Sequence, residues 1–133
     1  MAYGSVLTDV VQGSTAGTPP QFNDGNGTQI GTLCRAWVNF NGTTSPGTIR
    51  ASFNVGSVTK NGTGDYTVNF TNALPDANYS ISSVAEGANS NGNPPYQRGN
   101  YPITSTSNVR LTYLTYNAGS FVDPSYCCLQ VFR

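Results

Sequence analysis

Apolar and polar residues in this chain alternate in short runs, and no segment repeats apolar positions at helical spacing. Runs of Val, Ile, Thr, Tyr and Phe are cut by clusters of Gly, Asn, Pro and Asp, the pattern of an all-β protein. The strongest run is Cys34–Phe40. There Ala36, Val38 and Phe40 fall on one face of a strand, and Arg35, Trp37 and Asn39 on the other. The clearest local unit is a hairpin over Val58–Phe70. Its loop, Asn61-Gly62-Thr63-Gly64, holds residues that accept positive φ at little cost. After the loop, Tyr66, Val68 and Phe70 share a face that Thr67 and Asn69 oppose. Lys60 and Asp65 flank the loop and are expected to pair across it, worth a few tenths of a kcal/mol.

Further strands are predicted at Val6–Val11, Thr48–Phe53, Gly56–Lys60, Tyr79–Ala85, Val109–Tyr116 and Tyr126–Phe132, with turns at Asn41–Gly47 and Leu74–Asn78. The stretch Gly13–Pro20 ends in two prolines and cannot be a central strand. Residues 1–28 therefore read as an extended N-terminal arm. Residues 29–133 read as one antiparallel β-sandwich, jelly-roll-like, of about seven strands. The chain ends one residue after Phe132, so its C-terminus is expected to be tied into the sheet.

Composition narrows the function. The chain has 133 residues, no net charge and only 9% charged residues, against about 25% in an ordinary soluble domain. Solubility rests on uncharged polar groups: Asn, Gly, Ser and Thr make up 59 of the 133 residues. Scattered positive charge argues against nucleic-acid binding. No apolar run approaches the roughly 20 residues of a membrane helix, and Met1–Ser5 lacks the start of a secretion signal. With no His, a His-dependent triad or His-ligated zinc is impossible. Five Asn-X-Ser/Thr matches, at Asn26, Asn41, Asn61, Asn69 and Asn78, read as products of an Asn/Thr-rich composition.

The candidate chemistry is sparse. Cys34 stands alone and Cys127-Cys128 are adjacent. In a strand the latter two point to opposite faces, and one of them could meet Cys34. Reduced cysteines packing as small hydrophobes are the reading preferred here. The six carboxylates, Asp9, Asp24, Asp65, Asp76, Glu86 and Asp123, show no spaced pair with a base beside it. A small glycan-processing enzyme built on two carboxylates is kept as a third class, but the expectation is no enzyme, no cofactor and no metal. Asn23–Thr28 resembles a calcium loop only faintly, with Asp24 its sole acid, and reads as a turn. Trp37 and Phe40 are expected as core or subunit-interface anchors. Tyr96, Arg98 and Tyr101 lie in the long loop Glu86–Pro102 among Gly, Asn and Pro, a composition that suits an adaptable binding loop. Arg50 and Arg110 sit inside strand patterns, where they either face solvent or guard a sheet edge.

Several stretches carry a resemblance. Gly31–Gly42 (GTLCRAWVNFNG), Ile49–Val55 (IRASFNV), Asn61–Phe70 (NGTGDYTVNF) and Leu74–Tyr79 (LPDANY) resemble a module found at the C-terminal ends of tailed-phage tail fibre and tail spike proteins. Pro19-Pro20-Gln21-Phe22 with Asp24-Gly25 is similar to its usual lead-in, and the closing Val131-Phe132-Arg133 also fits. The resemblance implies a β-rich, homotrimeric, non-enzymatic protein of the virion surface, made in the host bacterial cytoplasm. Its partners would be other tail or capsid proteins and a host surface glycan or protein. It carries over no catalytic residue. The leading expectation is a receptor-binding tip that uses the Tyr96, Arg98 and Tyr101 loop. The alternative, suggested by the short chain and its arm, is a capsid decoration (cement) protein.

Overall fold

The computed structural model describes residues 8, 10–14, 20–87, 95–97, 105–115 and 119–133, with Tyr96 and Gln97 as backbone only. The chain divides into two compact units, Met1–Leu33 and Cys34–Arg133. The arm expected to end at residue 28 lies within the first.

In the first unit, β1 (Phe22–Asn23) pairs antiparallel with β2 (Gln29–Gly31). The turn between them is closed by Asp24. Its Oδ1 accepts from the backbone N–H of Asn26 (2.9 Å) and of Thr28 (2.8 Å), and its own N–H donates to the Thr28 carbonyl at 2.8 Å. Residues 21–33 are all exposed. A two-stranded ribbon of this kind has little independent stability in water. Of the strand expected at Val6–Val11, only Thr8, Val10 and Val11 are described, and none of these is in a strand.

The second unit is an antiparallel sandwich. Its strands are β3 (Cys34–Asn41), β4 (Thr48–Phe53), β5 (Val55–Gly62), β6 (Asp65–Phe70), β7 (Ser80–Glu86), β8 (Pro95–Gln97), β9 (Asn108–Thr115) and β10 (Tyr126–Phe132). One sheet has the order β4-β3-β10-β7 and the other β5-β6-β9-β8. The seven longer strands are those the alternation pattern predicted. The three-residue β8, inside the expected long loop, is additional. Phe132 in β10 pairs with both Cys34 of β3 and Ser80 of β7, so the C-terminal strand lies between two others, as expected.

The core lies between the sheets. Ala36, Val38, Phe40, Cys127, Leu129 and Val131 of the first sheet meet Val58, Tyr66, Val68, Phe70, Val109, Leu111 and Tyr113 of the second. The Phe40 and Tyr66 rings meet edge to face with centroids 5.3 Å apart, a geometry aromatic quadrupoles favour. Period-two alternation in β3 and β6 places these residues inside, and burying each large side chain stabilises the fold by about 1.5–3 kcal/mol. The passage from the first sheet to the second turns on Asn54, whose φ of 54° lies in the left-handed region. Its amide donates to the carbonyls of Arg35 and Asn72, both at 3.1 Å, and its Oδ1 accepts from the Asn72 N–H at 2.8 Å. Asn tolerates this conformation better than most residues.

Candidate binding faces

The outer face of the sheet β4-β3-β10-β7 is built from the residues that alternation turns away from the core. On β3 these are Arg35, Trp37 and Asn39. Register then brings Phe53 of β4 opposite Trp37, with Gln130 of β10 on its other side and Ser82 of β7 beyond. A parallel row runs Ala51, Asn39, Cys128, Val84. Each row crosses four strands, about 14 Å at ordinary strand spacing.

Phe53 reaches this face because of a bulge. Between Asn39 and Phe40 the register with β4 shifts, and Arg50 is the extra residue. Ile49 packs against the core, while Ala51 and Phe53 both point outward. Uninterrupted alternation would have placed Ile49, Ala51 and Phe53 on one face. An inserted residue reverses the facing of all that follows. Trp37 is 37% exposed, Phe53 55%, Tyr126 52% and Val84 66%. Large apolar groups are thus grouped on one open surface.

Arg50 is held in place on that surface. Its Nη1 donates to Asn39 Oδ1 at 3.2 Å, its Nη2 donates to the Ser125 carbonyl at 2.7 Å, and its guanidinium lies 4.2 Å from the centre of the Tyr126 ring. Stacking on an aromatic face suits the planar guanidinium.

The outer face of β5 and β6 differs in kind, being polar. Asn69 Nδ2 donates to Ser57 Oγ (3.0 Å) and Thr59 Oγ1 (3.1 Å), and Asn61 Nδ2 donates to Thr67 Oγ1 (2.9 Å). Arg110 forms a two-pronged pair with Asp65, its Nε donating to Oδ1 at 2.8 Å and its Nη2 to Oδ2. The Arg110 guanidinium holds the Asp65 carboxyl below the usual carboxylate range. These amides and hydroxyls bond chiefly to one another, as on a solvated sheet face.

At one end of the sandwich, Asp123 gathers three donors. Its Oδ1 accepts from the Gly64 N–H (2.8 Å) and the Tyr66 hydroxyl (2.7 Å), and its Oδ2 pairs with Lys60 Nζ at 2.7 Å. Partial burial pushes this carboxyl up, but the Gly64, Lys60 and Tyr66 donors outweigh it and hold the pKa below its ordinary value. Burial first, and the hydrogen bond to Asp123 second, push the Tyr66 hydroxyl far up. The expected pairing of Lys60 with Asp65 is therefore corrected. A bulge between Lys60 and Gly62 sets Lys60 opposite Tyr66, next to Asp123. Asp65 lies on the outer face, within reach of Arg110.

The remaining expectations divide as follows. Phe40 is fully buried in the core. Trp37 is not a core residue, because alternation in β3 turns it away from the second sheet. Tyr96 lies in β8 with its backbone opposite Leu114, while Arg98 and Tyr101 fall outside the described residues. Arg50 is on the edge strand β4, whereas Arg110 is on β9, between β6 and β8.

A Cys34 disulfide to either terminal cysteine is ruled out by register. Cys34 pairs with Phe132 and Cys127 with Phe40, which separates them by six residues of strand, about 20 Å, far beyond bridging distance. Cys127 is buried, and burial pushes its thiol up to about 12; Cys128 faces outward. Asp24 and Asp76 take turn roles. Asp76 accepts from the Asn78 N–H at 2.7 Å and is pinned by Arg133 at 2.9 and 2.6 Å. Among the described residues no three His, Cys, Asp or Glu side chains come together as a metal site would need.

Sequence reasoning did not single out Phe53, Tyr126, Val84 or Gln130. Alternation over 126–132 carried the signal for Tyr126 and Gln130. For Phe53 no local signal exists, because the bulge is a property of the pairing. Compared with family models, curated proteins and solved structures, the chain finds no match in any of the three.

Proposed function

We propose that this chain is a non-enzymatic surface protein of a tailed-phage particle, a tail fibre or receptor-binding tip module that engages the host cell surface. The observation that carries this reading is the exposed Trp37 and Phe53 pair on the outer sheet face, near Asn39, Gln130 and Arg50. Exposed aromatics beside amides and a guanidinium make a surface suited to adhesion. The resemblance of segments 31–42, 49–55, 61–70 and 74–79 to fibre modules supports it. The Tyr96, Arg98 and Tyr101 loop and a homotrimeric state belong to the same proposal. Gold-labelled antibody on intact particles tests it. Label at the tail end is the expected result, and label spread over the head would refute it. Wild-type adsorption by a Tyr96→Ala, Tyr101→Ala double variant would remove that loop from the receptor surface, and light scattering reads the oligomeric state.

The second reading, a capsid cement protein, is favoured by the first unit. Residues 21–33 are exposed throughout, with Phe22, Ile30 and Leu33 among them, as suits an arm that awaits a partner. It predicts label over the head, and loss of capsid attachment when residues 2–20 are deleted while the sandwich stays folded.

A further inference from the structure

We propose that the outer face of the sheet β4-β3-β10-β7 binds an anionic polysaccharide, with sugar rings packed on Trp37 and Phe53 and carboxylates held by Arg35 and Arg50. This rests on the surface-binding function proposed above and names its ligand class.

Three of the chain's six cationic side chains are matched within the sandwich: Lys60 by Asp123, Arg110 by Asp65 and Arg133 by Asp76. Arg35 and Arg50 have no carboxylate at ion-pair distance among the described residues. Both lie on this face. Glu86 on β7 shares this face, directly across from Tyr126, but makes no ion pair with Arg50. Among the described residues this face therefore holds two arginines against one glutamate, a positive excess that an anionic ligand complements. Two of the five N–H donors of Arg50 are used by Asn39 and Ser125. The rest remain for a carboxylate, with the guanidinium already oriented by the Tyr126 ring.

The rest of the face selects the body of the ligand. Phe53 and Trp37 lie directly opposite one another and present apolar ring surface, against which the C–H face of a sugar ring can pack. Gln130 and Ser82 continue the same row as neutral hydrogen-bonding groups, matching a polyhydroxylated chain that crosses the strands. A nucleic acid would find two cations here where tight phosphate binding uses many.

The test uses the full chain and two forms of one polymer, polygalacturonate and its fully methyl-esterified, uncharged form, in affinity electrophoresis. Polygalacturonate should retard the protein and the ester should retard it far less. Trp37→Ala and Arg35→Gln should each weaken retardation at least about tenfold, with far-UV circular dichroism showing both variants folded. Phe53→Ala, at an exposed site, is the second aromatic probe. Equal retardation by both polymers, no retardation by either, or full retardation of Trp37→Ala would overturn the proposal. So would light scattering that shows an oligomer dissociated by Trp37→Ala, since the face would then be a subunit contact. Binding to bacterial envelopes separates the two levels. If wild type and Trp37→Ala both bind envelopes, the ligand assignment fails and the surface-binding function stands. If wild type binds none, the function itself fails.

Discussion

Asp123→Ala should be among the most damaging single polar substitutions in the sandwich. The side chain lies in the segment before β10 and holds three groups from the β5–β6 hairpin: Lys60 Nζ, Gly64 N–H and the Tyr66 hydroxyl. Removing it leaves Lys60, whose side chain is only 14% exposed, without a counter-charge. It also leaves the Gly64 N–H, in a buried residue, without its acceptor. Tyr66 keeps one acceptor, the Gly42 carbonyl at 2.8 Å. An unsatisfied buried donor costs about 1–3 kcal/mol, and a charge-assisted hydrogen bond contributes about 1.5–3. Asp123 is itself 26% exposed, so water offsets part of the loss. The net is about 3 kcal/mol, or a fall in Tm of roughly 10 °C for a chain of this size.

The assay is urea unfolding followed by Trp37 fluorescence, beside Asp76→Ala as the exposed ion-pair control, expected to cost far less. The pH dependence follows the same logic. The folded state holds the Asp123 carboxyl below its unfolded pKa. The stability it contributes is therefore present above the unfolded value, near 3.9, and is lost as pH falls through the folded one. Wild type should lose stability below about pH 5, and the slope should be shallower in Asp123→Asn. A cost under 1 kcal/mol for Asp123→Ala, or equal costs for Asp123→Ala and Asp76→Ala, would refute the assignment of this network as the clamp on the β5–β6 hairpin.

Gly42→Ala should destabilise by about 1–3 kcal/mol, because a Cβ there would come within 2.7 Å of the Tyr66 hydroxyl and 2.8 Å of the Pro124 carbonyl; thermal unfolding reads it. Asn54→Ala should cost about 2–3 kcal/mol by chemical denaturation, through three lost hydrogen bonds and a left-handed φ. Asn54→Gly should cost about 1 kcal/mol less, since glycine accepts that φ. A thiol reagent at pH 8 should label Cys127 last, the residue being buried with its thiol pushed up to about 12. In denaturant without reductant all three cysteines should label, and mass spectrometry counts them.

What the sequence determined by itself is what strand alternation determines. Side chains alternate with period two whatever the strand pairs with, so the two faces of Cys34–Phe40 and of Tyr66–Phe70 were legible, as was a turn near Asn61–Gly64, which the structure narrows to Thr63-Gly64. The low charge was equally legible, and it pointed to a surface made of amides and hydroxyls. The loop around Tyr96 drew attention by composition alone.

The tertiary structure decided whatever depends on register. A single inserted residue in β4 moved Phe53 beside Trp37 and assembled the aromatic face. Another bulge gave Lys60 to Asp123 in place of the acid five residues away in sequence. The antiparallel pairing of β3 with β10 set Cys34 at the opposite end from Cys127 and Cys128. Each outcome joins residues far apart in sequence, or turns on one bulge in the pairing. Local propensity carries no information about such pairings, because their free energy comes from the packed core that selects the register.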